Sequence, residues 1–162
     1  NSHEIFNAAD SRFYNAFWYR TGEKFAILSN FAGKMDIYVY ERETKRMVRL
    51  LSEQGVQYTS PTWSYDGTKI YFARYDYAGN KNFDIVAIPA DGKTHTKEDI
   101  EFLLTSPEDE QFPALSPDGR YLAFNRRLGA SYEMMVLDLE TGEEKRLTDD
   151  IVQDILPMWI PD

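Results

Sequence analysis

The chain contains no cysteine and only two histidines, His3 and His95. Without thiols there is neither a disulfide framework nor a thiolate metal site. No stretch approaches the roughly 18 consecutive apolar residues of a membrane helix, and no secretory signal core is recognisable, so membrane insertion is not expected. Cations are in the minority, 18 Lys and Arg against 27 Asp and Glu, for a net charge of -9. That balance argues against a nucleic-acid partner, which requires clustered Lys and Arg. The pairs Lys45-Arg46, Arg126-Arg127 and Lys145-Arg146 lie on different strands and turns, which makes no nucleic-acid groove. Nucleophile elbows, phosphate loops and His-Glu-x-x-His patterns are all missing. His95, among Thr94, Thr96 and Lys97, reads as a solvent-loop residue rather than the base of a triad. No catalytic residue, metal ligand or cofactor is expected, and the chain reads as a non-enzyme.

Aromatic residues are abundant, with 11 Tyr and 10 Phe among 162 residues, and they suit strands better than helices. One phrase recurs: Pro61-Thr62-Trp63-Ser64-Tyr65-Asp66-Gly67, then Pro113-Ala114-Leu115-Ser116-Pro117-Asp118-Gly119, then Pro157-Met158-Trp159-Ile160-Pro161-Asp162. A fainter copy is Ala16-Phe17-Trp18-Tyr19-Arg20-Thr21-Gly22, and the spacings are 45, 52 and 44 residues. That period suits a β-propeller blade, a four-stranded sheet that cannot bury both faces alone. Ser, then Pro or Tyr, then Asp-Gly is a turn signature, because Asp bonds nearby backbone donors and Gly accepts positive φ.

After each turn comes a strand apolar on both faces: 24–28, 69–73 and 120–124. Phe25/Ile27, Ile70/Phe72 and Leu122/Phe124 are expected on one face, with Ala26, Tyr71 and Ala123 on the other. A third strand (36–40, 84–88, 133–137), a polar hairpin and a charged outer strand complete each unit. The expectation is an all-β chain: blades at about 13–52, 57–105 and 111–148, then the first strand of a fourth at 155–162. Residues 2–10 read as at most a short helical turn. The opening Asn1-Ser2-His3-Glu4, lacking Met, reads as a processed or engineered start.

The phrase Pro-x-Trp-Ser-x-Asp-Gly, followed by Ile-Tyr-Phe-Ala or Leu-Ala-Phe and closed by Leu-Thr, resembles the TolB-like, WD40-like (PD40-type) propeller repeat. The resemblance covers residues 13–162, tightest at 61–73 and 113–124. It implies a non-catalytic protein-interaction module, with a protein or peptide partner, in a bacterial periplasm or other extracytoplasmic compartment. The alternative it leaves open is the propeller gating domain, or a fragment, of a larger peptidase or hydrolase. A lyase-type propeller, which would want several histidines per ring, is disfavoured by the two present. Such propellers close with about six or seven blades. Three blades therefore read as a partial ring or as half of a homodimeric six-bladed ring, with strand 156–160 as closure strap. Two open flanks rich in Phe, Tyr and Val are expected.

Loops linking each outer strand to the next inner strand should share one rim of the disc. Tyr58, Gln111 and Asp154, just upstream of the repeated prolines, are the candidate ligand contacts at the channel mouth. Trp63 and Trp159 are expected in the core. Glu108-Asp109-Glu110, with Asp149, Asp150 and Asp154 one blade later, reads as a solvated acidic rim, or else a patch for a basic partner or a weak Ca²⁺ site.

Overall fold

A computed structural model describes residues 13–30, 32–149 and 156–160. Twelve strands form three four-stranded antiparallel sheets, each a meander of consecutive strands. The first blade holds β1 (Phe13–Trp18), β2 (Lys24–Ser29), β3 (Asp36–Glu41) and β4 (Arg46–Leu51). The second holds β5 (Val56–Trp63), β6 (Lys69–Asp76), β7 (Phe83–Pro89) and β8 (Glu101–Leu104). The third holds β9 (Glu110–Leu115), β10 (Tyr121–Leu128), β11 (Ser131–Asp138) and β12 (Glu144–Arg146). Helix among the described residues is limited to one 3₁₀ turn, Lys97–Asp99. The proposed turn at 2–10 lies outside them.

The alternation of the second and third strands dictates how the sheets stack. Ile70 and Phe72, opposite Ile88 and Val86, face Ala26, Leu28, Ile37 and Val39 of the first blade. The other face of the second blade presents Ile85 and Leu104 to Leu122, Phe124, Met135 and Leu137. The second sheet is therefore covered on both sides, which removes apolar area from water at roughly 25 cal/mol per Å². Phe25 and Ile27 share the equivalent face of the first blade with Tyr38 and Tyr40, as the sequence pattern anticipates. Those four are buried rather than exposed, which corrects the expectation of an open Phe- and Tyr-rich flank there. Exposure concentrates instead at Trp18 (61%), Met158 (87%) and Ile160 (86%).

The repeated turns form as their residue types require. Ser64 Oγ donates to Asp66 Oδ1 (2.7 Å) and accepts from Lys69 N (2.9 Å), while Asp66 Oδ1 also accepts from Thr68 N. Ser116, Asp118, Arg120 and Tyr121 repeat the arrangement. Gly67 and Gly119 take φ of 72° and 78°, a region open to Gly at little cost. They also leave room for a neighbour. A Cβ on Gly67 would lie 2.7 Å from the Tyr19 ring, and one on Gly119 would lie 2.9 Å from Tyr65 Cβ. Each turn thus accepts an aromatic residue from the preceding blade.

Trp63 is buried, and its indole N–H donates across the seam to the Phe17 carbonyl at 2.8 Å. Trp159 makes the same bond two repeats later, to the Ala114 carbonyl at 2.8 Å. The repeated Trp therefore fastens each inner strand to the one before it, and Leu115 interrupts the series.

Candidate binding clefts along the inner strands

Strands β1, β5 and β9 and the segment Leu156–Ile160 converge on a cleft of about 580 Å³. Its walls are apolar or uncharged, with Phe17, Pro61, Phe112, Pro113, Pro157 and Met158 prominent. Proline lacks an N–H donor and is tolerated here because these are inner edge strands. The residue before each proline is strained: Ser60, Phe112 and Leu156 have φ of 52°, 55° and 63°. The β5–β6 register shifts between Thr59 and Thr62, and the β9–β10 register shifts correspondingly. Each inner strand therefore carries a bulge beside the cleft, a device that re-aims the backbone at functional edges.

A second cleft, of about 450 Å³, lies at the turn end of the same strands. Trp18, Tyr19, Arg20, Tyr65, Leu115 and Pro117 contribute to it. Arg20 sits over the Tyr65 ring at 4.4 Å, and the Tyr19 hydroxyl donates to the Tyr65 carbonyl at 3.2 Å.

The structure places the predicted contacts differently from the sequence expectation. Tyr58 is 1% exposed within the seam between the first two blades. Its hydroxyl donates to Glu53 Oε1, and burial raises its pKa above the ordinary tyrosine value. It is a packing residue and not a rim contact, because Arg74 holds Glu53 and the tyrosine is drawn inward with it. Gln111 is half-buried and donates to the Tyr132 hydroxyl at 3.2 Å. Asp154 lies outside the described residues. Tyr58 and Gln111 are thus not brought together as a ligand site.

The acidic rim is also corrected. Glu110 is fully buried, accepting from Ser106 Oγ and, at 2.9 Å, from Arg126 Nε. Asp109 accepts from Phe83 N, and the Glu108 carbonyl accepts from Asn82 Nδ2. Asp149 remains on the surface beside Arg146. Asp36, Asp84 and Glu133 lie within the first three residues of β3, β7 and β11, all buried. Burial raises the pKa of Asp36, Asp84 and Glu110, whereas the Ser131 hydroxyl holds that of Glu133 low. No group of three or more His, Asp or Glu among the described residues is arranged to hold a metal.

His95, expected in a solvent loop, has a side chain only 9% exposed and contacts Asp91 Oδ1 at 2.9 Å. Its backbone N–H donates to the Leu50 carbonyl, and Thr94 Oγ1 donates to the Arg49 carbonyl. The insertion therefore packs back on the first blade. Arg20 and Tyr65 are not legible as cleft residues in the sequence, because they stand inside the repeat phrase at positions that read as turn filler.

Three radially stacked four-stranded meanders joined through their inner strands define an arc of a β-propeller. Its version of the fold is TolB-like. The chain matches a protein assigned as TolB from Agrobacterium tumefaciens at 20% identity and TM-score 0.68, covering 88% of this chain and 50% of that one. It matches TolB from Acinetobacter baumannii at 20% identity and TM-score 0.67, covering 86% of this chain and 33% of that one. A prolyl endopeptidase is similar at 14% identity and TM-score 0.66, over 87% of this chain and 22% of that one. The chain thus spans half or less of the length of these proteins. No family model matches it, and no curated protein does. No helix among the described residues is long and apolar enough to cross a membrane.

Proposed function

We propose that the chain is a non-catalytic protein-interaction module of the TolB-like propeller type, working in an extracytoplasmic compartment of a bacterial envelope. The observation that carries this reading is the uncharged 580 Å³ cleft, built by the same position of four successive repeats. Rigid sheets hold its walls in place before a partner arrives, which lowers the ordering cost of association. The likeness to TolB structures supports the reading as analogy of fold. Its test is affinity capture from envelope extract with the purified chain, beside Phe112→Asp and Met158→Asp variants that place charge in the cleft. A single species held by the chain and lost from both variants is expected. Equal retention by all three excludes the cleft.

The alternative, a propeller gating a larger peptidase, draws on the similarity to a prolyl endopeptidase. A hydrolase domain encoded in the same reading frame would decide for it. Within the first reading, a second copy completes the ring. Leu156–Ile160 is anchored by Trp159 and by Leu156 N donating to Asn125 Oδ1, yet pairs with no strand among the described residues. Residues 156–160 align with Asn15–Tyr19, so they suit the place that β1 holds beside β2, in an exchange with the first blade of another copy. The check is the solution mass at micromolar concentration: twice 18.9 kDa supports the pairing, and 18.9 kDa eliminates it.

A further inference from the structure

The 450 Å³ cleft at the turn end has an unusual electrical lining. The chain carries 27 acids against 18 bases, yet Arg20 is the single charged residue on the walls of this cleft. The apolar cleft along the inner strands has no charge, and three further clefts mix both signs. Arg20 makes no ion pair with a described residue, in contrast to Arg74, Arg120 and Arg126. Its guanidinium is held in place by the Tyr65 ring beneath it at 4.4 Å, a cation–π contact that leaves the guanidinium N–H donors to other partners. Tyr65 is fixed in turn: the Tyr19 hydroxyl bonds its carbonyl, and its Cβ abuts Gly119 of the next blade.

The rest of the lining says what accompanies the anion. Trp18 (61% exposed) and Tyr65 (45% exposed) offer aromatic surface, with Leu115 and Pro117 opposite. The two serine hydroxyls in the cleft are already spent on their turns, Ser64 Oγ on Asp66 and Ser116 Oγ on Asp118. A sugar would find few free partners for its hydroxyls, whereas an apolar side chain needs none. Asp66 and Asp118 line the adjacent cleft, where turn donors hold both carboxylates.

We infer that this cleft recognises an acidic peptide segment, an Asp, Glu or terminal carboxylate flanked by an apolar side chain, with Arg20 taking the carboxylate and Trp18, Leu115 and Pro117 taking the neighbour. The inference rests on the reading of the chain as a protein-interaction module and adds a second contact at the opposite end of the inner strands. A bidentate guanidinium–carboxylate pair supplies direction as well as attraction, which an apolar cleft alone lacks.

The test uses the full chain and two probes, acetyl-Leu-Asp-Phe-amide and its neutral isostere acetyl-Leu-Asn-Phe-amide, titrated against tryptophan fluorescence and by calorimetry. The Asp peptide is expected to bind about fivefold more tightly than the Asn peptide, and the ratio to shrink as salt rises from about 50 to about 500 mM. Arg20→Gln, a surface substitution, is expected to bring the ratio close to one by weakening the Asp peptide far more than the Asn peptide. Failure of both peptides to bind, or an unchanged ratio in Arg20→Gln, overturns the assignment. Repeating the envelope capture with Arg20→Gln separates the two readings. A partner held equally by wild type and variant removes the cleft and leaves the module, and capture by neither removes the module.

Discussion

The two seams of the arc solve one packing problem in different ways. Between the first and second blades the contact is mainly apolar, from Ala26 and Leu28 across Ile70 and Phe72 to Val86 and Ile88, with the Tyr58–Glu53–Arg74 cluster as its polar part. Trp63 closes its inner end with a single indole hydrogen bond. Between the second and third blades the apolar contact is smaller, and Leu115 stands where tryptophan would. A polar clamp compensates: Asn82 Nδ2 donates to the Ser106 and Glu108 carbonyls at 2.7 and 2.8 Å, and Phe83 N donates to Asp109. Buried polar groups specify geometry but carry a desolvation cost, visible in the raised pKa values of Asp84 and Glu110. Repeats with one architecture therefore need not share one source of cohesion.

The comparison can be broken most forcefully at Phe72, which has no exposed surface. Phe72→Ala is expected to cost about 3–5 kcal/mol in a urea titration, more than Leu122→Ala in the smaller seam. Next, Gly119→Ala should cost about 2–3 kcal/mol, adding overpacking to a disallowed φ. Gly67→Ala should cost less, because the clash is with the far end of the Tyr19 ring, which can swing away, and not with a Cβ. Equal midpoints for the two would show that φ alone matters. Asn82→Ala removes a buried donor to two carbonyls, and about 1–3 kcal/mol is expected, with hydrogen exchange rising first at 106–110.

Acidification sharpens the contrast. Carboxyls whose folded pKa is raised bind protons more tightly folded than unfolded, so Asp84 and Glu110 add stability as pH falls through their folded values. The gain is complete below the ordinary 3.8 and 4.5. Asp66 and Asp118, held low by Thr68 N–H and the Ser116 hydroxyl respectively, act oppositely and lose their contribution as pH falls below 3.8. Urea midpoints followed from pH 7 downward should therefore rise less in an Asp84→Asn/Glu110→Gln variant than in wild type. The smallest effect expected is a gain: Leu115→Trp would restore the missing indole bond, toward the Thr62 carbonyl, and stabilise by about 0.5–1 kcal/mol in the same titration.

Much of the fold was legible because turn chemistry and strand alternation repeat. Ser64–Asp66–Gly67 and Ser116–Asp118–Gly119 announce their geometry, and Ile70/Phe72 announce the face they bury. The site was less legible. Tyr58 sits three residues before Pro61, as Glu110 does before Pro113, and spacing alone cannot say that both turn into a seam. What decides it is Arg74 and Arg126 on the neighbouring strand, each pulling an acid inward. Arg20 carries no motif, and its importance arises only when the turn of the second blade brings Tyr65 beneath it.

The insertion that lengthens the second unit has a mechanical consequence. Through Thr94 and His95 it grips the Arg49 and Leu50 carbonyls of β4, so the first two blades are buckled together at their outer circumference as well as along their greasy seam. Under load, or under attack by a protease, the third blade should peel away first as a unit, leaving a two-blade remnant.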